Sequence, residues 1–256
     1  MRQPPTVGII YSFGRSGSTL LNQCLGCHSA NAVLSEVNPA GSYFDVAWQA
    51  HHWLGLASDQ DRIEIERLPY AQQIGLLADA CTRAHRHLIV RDWTALNFLK
   101  NVMPDVEPSG LLEQEWFIGG LPLNLRRVVF CRRAGGVYHS FCSRFPQFRD
   151  LPAGDFAGAY LAYARAVCHF PIVHLEDFTA RPKDRMKEIC RLLGAAYAIN
   201  FAEKFADYRN CTGNTTLTTE TSSTTLRSIV RTDPPVGPPP HPLFLEADQL
   251  LGYEPA

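Results

Sequence analysis

A polar segment near the N-terminus, Gly14-Arg15-Ser16-Gly17-Ser18-Thr19, combines the residue types that bind small anions. Glycines let backbone N–H groups approach an anion closely, the serine and threonine hydroxyls add donors, and Arg15 adds a positive charge. The preceding run, Thr6–Tyr11, is apolar and β-branched, and residues 19–27 have apolar side chains at helical spacing. A strand, a polar loop and a helix in this order predict a phosphate-binding loop.

Arg132 and Ser140 form a second pair that suits a phosphate. The run 127–131 predicts a strand that ends next to Arg132, and Ser140 lies eight residues further on, within a predicted helix over 137–144. A strand end and the first turns of the next helix can face one phosphate. Arg132 would make a forked, charge-assisted contact there, and Ser140 would add a shorter-range donor.

An ordinary ATP-binding loop is disfavoured, because its lysine follows the second glycine whereas Arg15 precedes Gly17. A basic residue followed by Ser, Gly, Ser and Thr after a first strand instead resembles the loop of sulfotransferases that use 3′-phosphoadenosine 5′-phosphosulfate (PAPS). The spacing of Arg132 and Ser140 is similar to the 3′-phosphate site of that family. The resemblance covers about residues 7–194, with gaps. It implies that residues 15–19 bind the 5′-phosphosulfate.

The resemblance also implies a mechanism, with PAPS as co-substrate, 3′,5′-ADP as product and no metal ion. It is closest to the soluble, bacterial-type branch that uses a glutamate base, whose position Glu36 takes after the first helix. Arg91 takes the position of a lysine that assists the transferring group. Arg15 would offset the charge that develops on the leaving 5′-phosphate, while Glu36 accepts the proton of the acceptor.

Other residues compete for the role of base, and some positions depart from the family pattern. Asp92 is a rival base beside Arg91, and so are His51 and His52. The usual Arg-Asn-Pro-Arg-Asp motif is replaced here by Arg132-Arg133-Ala134-Gly135-Gly136, which alters the turn but keeps the ligand spacing. Glu176-Asp177 is similar to a Glu-Asp pair at a strand end in the family, and we expect it to tie down loops.

The acceptor is predicted less sharply than the donor. Trp48, Trp53 and Trp93, with His51 and His52, favour a flat or ring-bearing small molecule that accepts through a hydroxyl or amine, as in secondary metabolism. In the family a C-terminal loop with basic and glycine residues closes over the cofactor. The segment Arg209-Asn210-Cys211-Thr212-Gly213 and the later Arg227 are the candidates for that loop.

The elements that must position these residues alternate between strand and helix. Further strands are predicted at 87–90 and 172–175, and further helices at 63–80, 156–168 and 185–193. This order predicts an α/β fold: a single domain over 1–256 with a mostly parallel central sheet flanked by helices. A Thr- and Ser-rich loop at about 212–225 and a Pro-rich extended segment at about 233–242 interrupt it near the C-terminus.

The composition limits the classes of partner that we expect the chain to bind. The 256 residues carry a net charge of −1, which provides no broad basic field for nucleic acid or an anionic membrane. No apolar run is long enough to span a membrane, and we expect a cytoplasmic protein. The eight cysteines lack the spacing of a disulfide scaffold or a zinc site, so we expect reduced thiols; Cys24, Cys27 and His28 are expected to pack on one helix face.

Two other functions compatible with an anion loop stay open. A small-molecule kinase would need magnesium ligands and a lysine after Gly17, and neither is evident in the sequence. A catalytically inactive nucleotide-binding protein of the same fold is the second alternative, because a fold does not guarantee activity. The joint presence of Arg15, Glu36, Arg132 and Ser140 favours an active enzyme.

Overall fold

The computed structural model describes residues 3–213 and 241–254, which fold around one five-stranded sheet. The strands are β1 (Thr6–Tyr11), β2 (Asn31–Ser35), β3 (Val37–Asn38), β4 (Gly41–Ser42), β5 (His87–Arg91), β6 (Asn124–Cys131) and β7 (Ile172–His174). The sheet has the order β2-β5-β1-β6-β7, and every neighbouring pair in it is parallel. The short strands β3 and β4 form a separate antiparallel hairpin.

Helices cover both faces of the sheet. They are α1 (Ser18–Gly26), α2 (Val46–His52), α3 (Asp59–Glu66), α4 (Tyr70–Arg83), α5 (Glu113–Ile118), α6 (Ala134–Arg144), α7 (Ala153–Val167), α8 (Leu175–Ala180), α9 (Pro182–Leu193), α10 (Phe201–Lys204) and α11 (Pro242–Leu250). Short 3₁₀ turns lie at Thr94–Asn97, Pro146–Phe148 and Phe205–Asp207.

Alternate residues of β1 divide the core into two layers. Val7, Ile9 and Tyr11 pack into the layer that contains α4 and α7, whereas Ile10 packs with residues of α1 and α9 on the opposite face. All four side chains are fully buried, as the two-residue period of a covered strand requires. The predicted α/β class, with a mostly parallel sheet flanked by helices, is therefore confirmed.

Some helix and strand boundaries differ from those predicted from the sequence. The predicted helix over 63–80 is wrong, because α3 ends at Glu66 and Pro69 then starts α4 as its N-cap residue. A helix interior would lose a hydrogen bond at Pro69 and clash with its ring. α6 begins at Ala134, so the glycines that precede the predicted helix over 137–144 form its first turn. The sequence did not reveal β2.

Several sequence predictions concern residues beyond those described. The Thr- and Ser-rich loop, the Pro-rich segment and Arg227 lie outside the described residues, apart from the ends of the two segments. Within 3–213 and 241–254 no helix is long and apolar enough to cross a membrane. The same residues contain no group of three or more His, Cys, Asp or Glu side chains placed to hold a metal ion.

A buried polar network lies behind the carboxyl end of β5. Asp92 Oδ1 accepts hydrogen bonds from the amides of Asn38 (2.8 Å) and Gln114 (3.0 Å), and its Oδ2 accepts one from the Thr94 hydroxyl (2.6 Å). Tyr70 in turn hydrogen-bonds to Gln114. Asp92 is almost fully buried and joins the loops after β3 and β5 to α5. These contacts give the carboxylate a structural role.

This network predicts a pH-dependent stability. Burial raises the pKa of Asp92 from 3.8 to about 6, against the opposing effect of its three hydrogen-bond donors. Between these pH values the folded chain binds more protons at Asp92 than the unfolded chain, so the free energy of unfolding falls as pH rises. The Asp92→Asn substitution removes the titrating carboxyl group, while the amide oxygen of the new side chain can still accept hydrogen bonds from Asn38 and Gln114.

The Asp92→Asn variant is therefore expected to gain up to about 3 kcal/mol relative to wild type as pH rises from about 4 to about 6. Urea unfolding of both proteins at several pH values across that window measures the difference. A difference that stays constant over the window would contradict the assignment of a raised pKa to Asp92.

Candidate functional site

The predicted anion loop joins β1 to α1 at the carboxyl edge of the sheet. Arg15 and Gly17 have left-handed backbone conformations, with φ of 69° and 83°, and Ser16 N donates to Phe13 O at 3.3 Å across the turn. Gly17 is the N-cap of α1 and has no side chain to occupy the first N–H groups of the helix. Those N–H groups and the hydroxyls of Ser18 and Thr19 are the donors that an anion would meet.

The loop requires glycine at position 17 for two reasons. Its φ is one that L-residues with a side chain adopt only at a cost. A Cβ at this position would also lie 2.7 Å from Leu175 Cδ1, at the start of α8. The loop is thus pressed against the end of β7, and its path depends on the absence of a side chain.

Three arginines gather beside this loop. Arg15 Nε donates to Ser140 Oγ at 3.0 Å, so the hydroxyl predicted for the second phosphate site is bound to the arginine of the first. Burial lowers the pKa of Arg15, and the positive charges of Arg144 and Arg132 lower it further, while Glu36 opposes the shift. The arrangement concentrates positive charge at one place, which a bound anion would stabilise.

Arg132 follows β6 and lies over the first turn of α6. A Cβ at Gly136 would come within 2.9 Å of Arg132 Nε, so the glycine makes room for the guanidinium group. Burial lowers the pKa of Arg132, and the carboxylate of Glu176 is the largest opposing influence. Arg132 lies at the N-terminal end of α6, whereas Ser140 lies near the middle of that helix and contacts Arg15.

Glu36 and Arg91 form an ion pair at the ends of two adjacent strands. Ser35 and Arg91 are paired in the register of β2 and β5, and Glu36 follows Ser35 with a left-handed φ of 51°. Arg91 Nη2 lies 3.2 Å from Glu36 Oε1. The Arg91 side chain is fully buried, whereas 16% of the Glu36 side chain is exposed. A strained backbone at a partly exposed carboxylate is typical of a functional residue.

The two terminal nitrogens of Arg91 also bind oxygens from three segments, whereas its buried Nε has no hydrogen-bond partner among the described residues. Its Nη1 donates to Thr19 Oγ1 at 3.1 Å and to Ser18 Oγ at 3.4 Å, on α1. Its Nη2 donates to Ser35 Oγ and to Thr212 Oγ1, both at 2.8 Å. Arg91 therefore ties the anion loop, the end of β2 and the residues around Thr212 to one buried charge.

Gln49 fixes the end of β2 from the outer side. This fully buried side chain accepts from Ser35 N at 2.7 Å and donates to Ser35 O at 3.0 Å and to Phe44 O at 2.7 Å. Because β2 is an edge strand, the amide replaces the neighbouring strand that Ser35 lacks. No sequence pattern predicted the role of Gln49; the one available signal was its position in the helix that follows Glu36.

The rival bases have other partners. Asp92 is buried within the polar network described above. His51 Nδ1 lies 2.9 Å from Ala57 O, and its Nε2 lies 3.3 Å from an Asp59 carboxylate oxygen. His52 packs against Trp48 with ring centroids 4.5 Å apart. The two histidines contact their own helix α2 and the connection to α3.

The Glu176–Asp177 pair lies in the first turn of α8, so its expected position at a strand end is wrong, because β7 ends at His174. Glu176 Oε2 accepts from the Tyr253 hydroxyl at 2.9 Å, and Asp177 Oδ2 pairs with Arg185 at 2.8 Å. These contacts tie α8 to the C-terminal residues and to α9. They agree with the structural role expected for the pair.

Comparisons with known proteins identify the fold. No family model and no curated protein matches the chain. The sulfotransferase domain from the Synechococcus PCC 7002 olefin synthase superimposes with a TM-score of 0.55 at 16% identity, over 100% of this chain and 98% of that domain. The sulfotransferase domain from the curacin biosynthetic pathway gives 0.54 at 17% identity, over 99% of both chains. The chain thus has the fold of sulfotransferase domains.

The geometry of the anion loop predicts that one added methyl group at position 17 lowers the stability of the fold. Gly17→Ala is expected to lower the free energy of unfolding by about 2 kcal/mol or more, because it combines an unfavourable φ with overpacking against Leu175. Gly135→Ala is the matched control: it lies in the first turn of α6, and an added Cβ there meets no atom within 4 Å. That control is expected to be neutral or to gain up to about 1 kcal/mol.

Urea unfolding of both variants beside the wild type measures these changes. Equal stability of Gly17→Ala and the wild type would show that neither the left-handed backbone nor the contact with Leu175 constrains the loop.

Proposed function

We propose that this chain is a sulfotransferase that transfers a sulfuryl group from PAPS to a hydroxyl or amine of a small molecule and releases 3′,5′-ADP. The observation that carries the proposal is the convergence of Arg15, Glu36, Arg91 and Ser140 at one edge of the sheet, in a fold shared with sulfotransferase domains. These are residues to which the sequence resemblance assigns roles in donor binding and transfer.

The residues around the loop fit the charge of PAPS. The loop supplies backbone N–H groups and two hydroxyls, and Arg15, Arg132 and Arg144 concentrate positive charge beside it. We assign the 5′-phosphosulfate to residues 15–19 and the 3′-phosphate to Arg132 and Ser140. The lowered pKa of Arg15 and of Arg132 supports this assignment, because a nearby anion would relieve the cost of holding both charges in a partly buried site.

When bound, PAPS would supply the sulfuryl group, whose bridge to the 5′-phosphate breaks with the electron pair leaving on the phosphate oxygen. Glu36 would accept the proton of the acceptor hydroxyl at a carboxylate oxygen, since its side chain is partly exposed and its Oε1 is held by Arg91. Arg15 and the N-terminus of α1 would offset the negative charge that develops on the leaving side. Arg91 would keep Glu36 and Thr19 in place.

Donor recognition predicts a dependence on the 3′-phosphate. 3′,5′-ADP is expected to bind about tenfold to a hundredfold more tightly than 5′-AMP, because the charge-assisted contacts to the 3′-phosphate are missing in 5′-AMP. Calorimetry with both nucleotides measures the ratio. In Arg132→Gln the two affinities are expected to become nearly equal, whereas Arg149→Gln, an exposed arginine after α6, leaves the ratio unchanged.

Equal affinities of the wild type for the two nucleotides would contradict the second phosphate site. Loss of affinity for both nucleotides by the same factor in Arg132→Gln would assign this arginine to another part of the donor.

The assignment of the base predicts a selective loss of turnover. Glu36→Gln is expected to bind 3′,5′-ADP normally and to lose about 10²–10⁴-fold in turnover at saturating PAPS, since the amide oxygen can still accept from Arg91 but cannot take up a proton. Thermal unfolding checks that the variant stays folded although Arg91 loses its charged partner. Asp92→Asn is the control, because its carboxylate lies in the buried network, and it is expected to keep nearly normal turnover.

Both variants are compared at saturating PAPS with an acceptor found by screening hydroxylated and amine compounds. Normal turnover in Glu36→Gln together with an inactive Asp92→Asn would transfer the role of base to Asp92.

A further inference from the structure

A cleft of about 460 Å³ opens beside the ends of β2 and β5. This volume is within the range of sites that bind small molecules. Its lining combines two aromatic rings, one arginine and the backbone segment that contacts Arg91: Tyr43, Phe44, Arg209, Cys211, Thr212 and Gly213. Arg209, Cys211, Thr212 and Gly213 belong to the segment that is also a candidate for the loop over the cofactor, but none of the six lining residues is among residues 15–19, Arg132 and Ser140, to which we assign the phosphates of the donor.

The hairpin of β3 and β4 places the cleft next to Glu36. Val37 and Ser42 are paired in this hairpin, so Glu36 and Tyr43 are the next residues on its open side. On the other side Thr212 contacts Arg91, the ion-pair partner of Glu36. Glu36 does not itself line the cleft, but residues on two sides of the cleft are joined to it through the hairpin and through Arg91. We therefore take the cleft to open toward the carboxylate that we assign as the base.

The aromatic wall is exposed and rigid. Tyr43 is 64% exposed and stacks on Trp93 with centroids 4.7 Å apart, and Phe44 is 39% exposed and stacks on Trp48 at 4.4 Å. Each outer ring is thus held against a tryptophan while part of its surface stays exposed. Exposed aromatic surface that is already held in place favours the binding of a flat ring by stacking.

The charge at the mouth of the cleft is positive. Arg209 is exposed there and forms no ion pair with any residue in the described ranges. The negative charge of the proposed base, Glu36, is itself paired with Arg91. A ligand that carries a negative group at the end opposite its hydroxyl would satisfy Arg209 without approaching Glu36.

We propose that this cleft binds the acceptor and that the acceptor class is a planar hydroxyaryl compound with an anionic substituent. The inference rests on the sulfotransferase function proposed above. The ring stacks on Tyr43 and Phe44, the hydroxyl faces Glu36 and the anionic group faces Arg209. As the acceptor oxygen bonds to sulfur, its proton passes to Glu36, and the electron pair of the broken bridge leaves with 3′,5′-ADP.

Three probe compounds separate the contributions of ring and charge. 6-Hydroxy-2-naphthoate is planar and anionic, its methyl ester is planar and neutral, and trans-4-hydroxycyclohexanecarboxylate is anionic without a flat ring. Calorimetry with and without saturating 3′,5′-ADP gives their affinities for the wild type. The naphthoate is expected to bind at least about tenfold more tightly than either of the other two compounds.

Two substitutions test the residues. Tyr43→Ala is expected to lower the affinity for naphthoate about fivefold. Arg209→Gln is expected to lower the affinity for naphthoate about tenfold and to leave the affinity for its methyl ester unchanged. Trp116→Ala and Arg149→Gln are matched controls, because these side chains are exposed on α5 and after α6, and both are expected to keep wild-type affinity. Thermal unfolding checks that each variant is folded.

The outcomes distinguish this inference from the proposed function. If 3′,5′-ADP binds but naphthoate binding is absent or insensitive to Tyr43 and Arg209, the acceptor class is overturned and the donor site stands. If naphthoate binds with the expected sensitivity but 3′,5′-ADP does not bind, the cleft stands as a ligand site and the proposed function is overturned. Tighter binding of the ester than of the naphthoate would overturn the role of Arg209.

Discussion

The burial of Arg91 is the constraint on which the rest of the site depends. A guanidinium group without solvent contact is tolerated only where oxygens surround it, because an uncompensated buried charge is strongly destabilising. Glu36, Ser35, Thr19 and Thr212 provide those oxygens, and they come from segments that are far apart in the sequence. Satisfying one charge therefore brings the anion loop, the glutamate and the cleft wall together.

Parallel strands explain why these groups can meet at all. In a parallel sheet the carboxyl ends of neighbouring strands share one edge, and ligand sites of open α/β sheets form there. Arg91 is the last residue of β5, Glu36 follows β2, Arg132 follows β6, and the loop with Arg15 follows β1. Each charged residue thus obtains its place from the strand that precedes it, and helices behind the sheet hold that edge in position.

The sequence predicted the parts of this site that depend on short-range order. β1, its polar loop and α1 appear as one contiguous pattern, and Arg132 follows the strand predicted at 127–131, as it follows β6. β2 was missed because its five residues are buried on both faces and so lack the alternation that reveals a strand. Gln49 and Thr212 act through tertiary contacts, which leave no local pattern in the sequence.

The two arginines of the site differ in what remains available to a ligand. Arg91 uses its terminal nitrogens on protein oxygens and has no exposed surface, so its effect on a substrate passes through Glu36 and Thr19. Arg15 is partly exposed, donates a hydrogen bond to Ser140 and carries a charge that its arginine neighbours disfavour. An arriving anion would therefore gain more from Arg15 than from Arg91. The structural charge of Arg91, which orients the proposed base, is thus separate from the responsive charge of Arg15, which would meet the proposed donor.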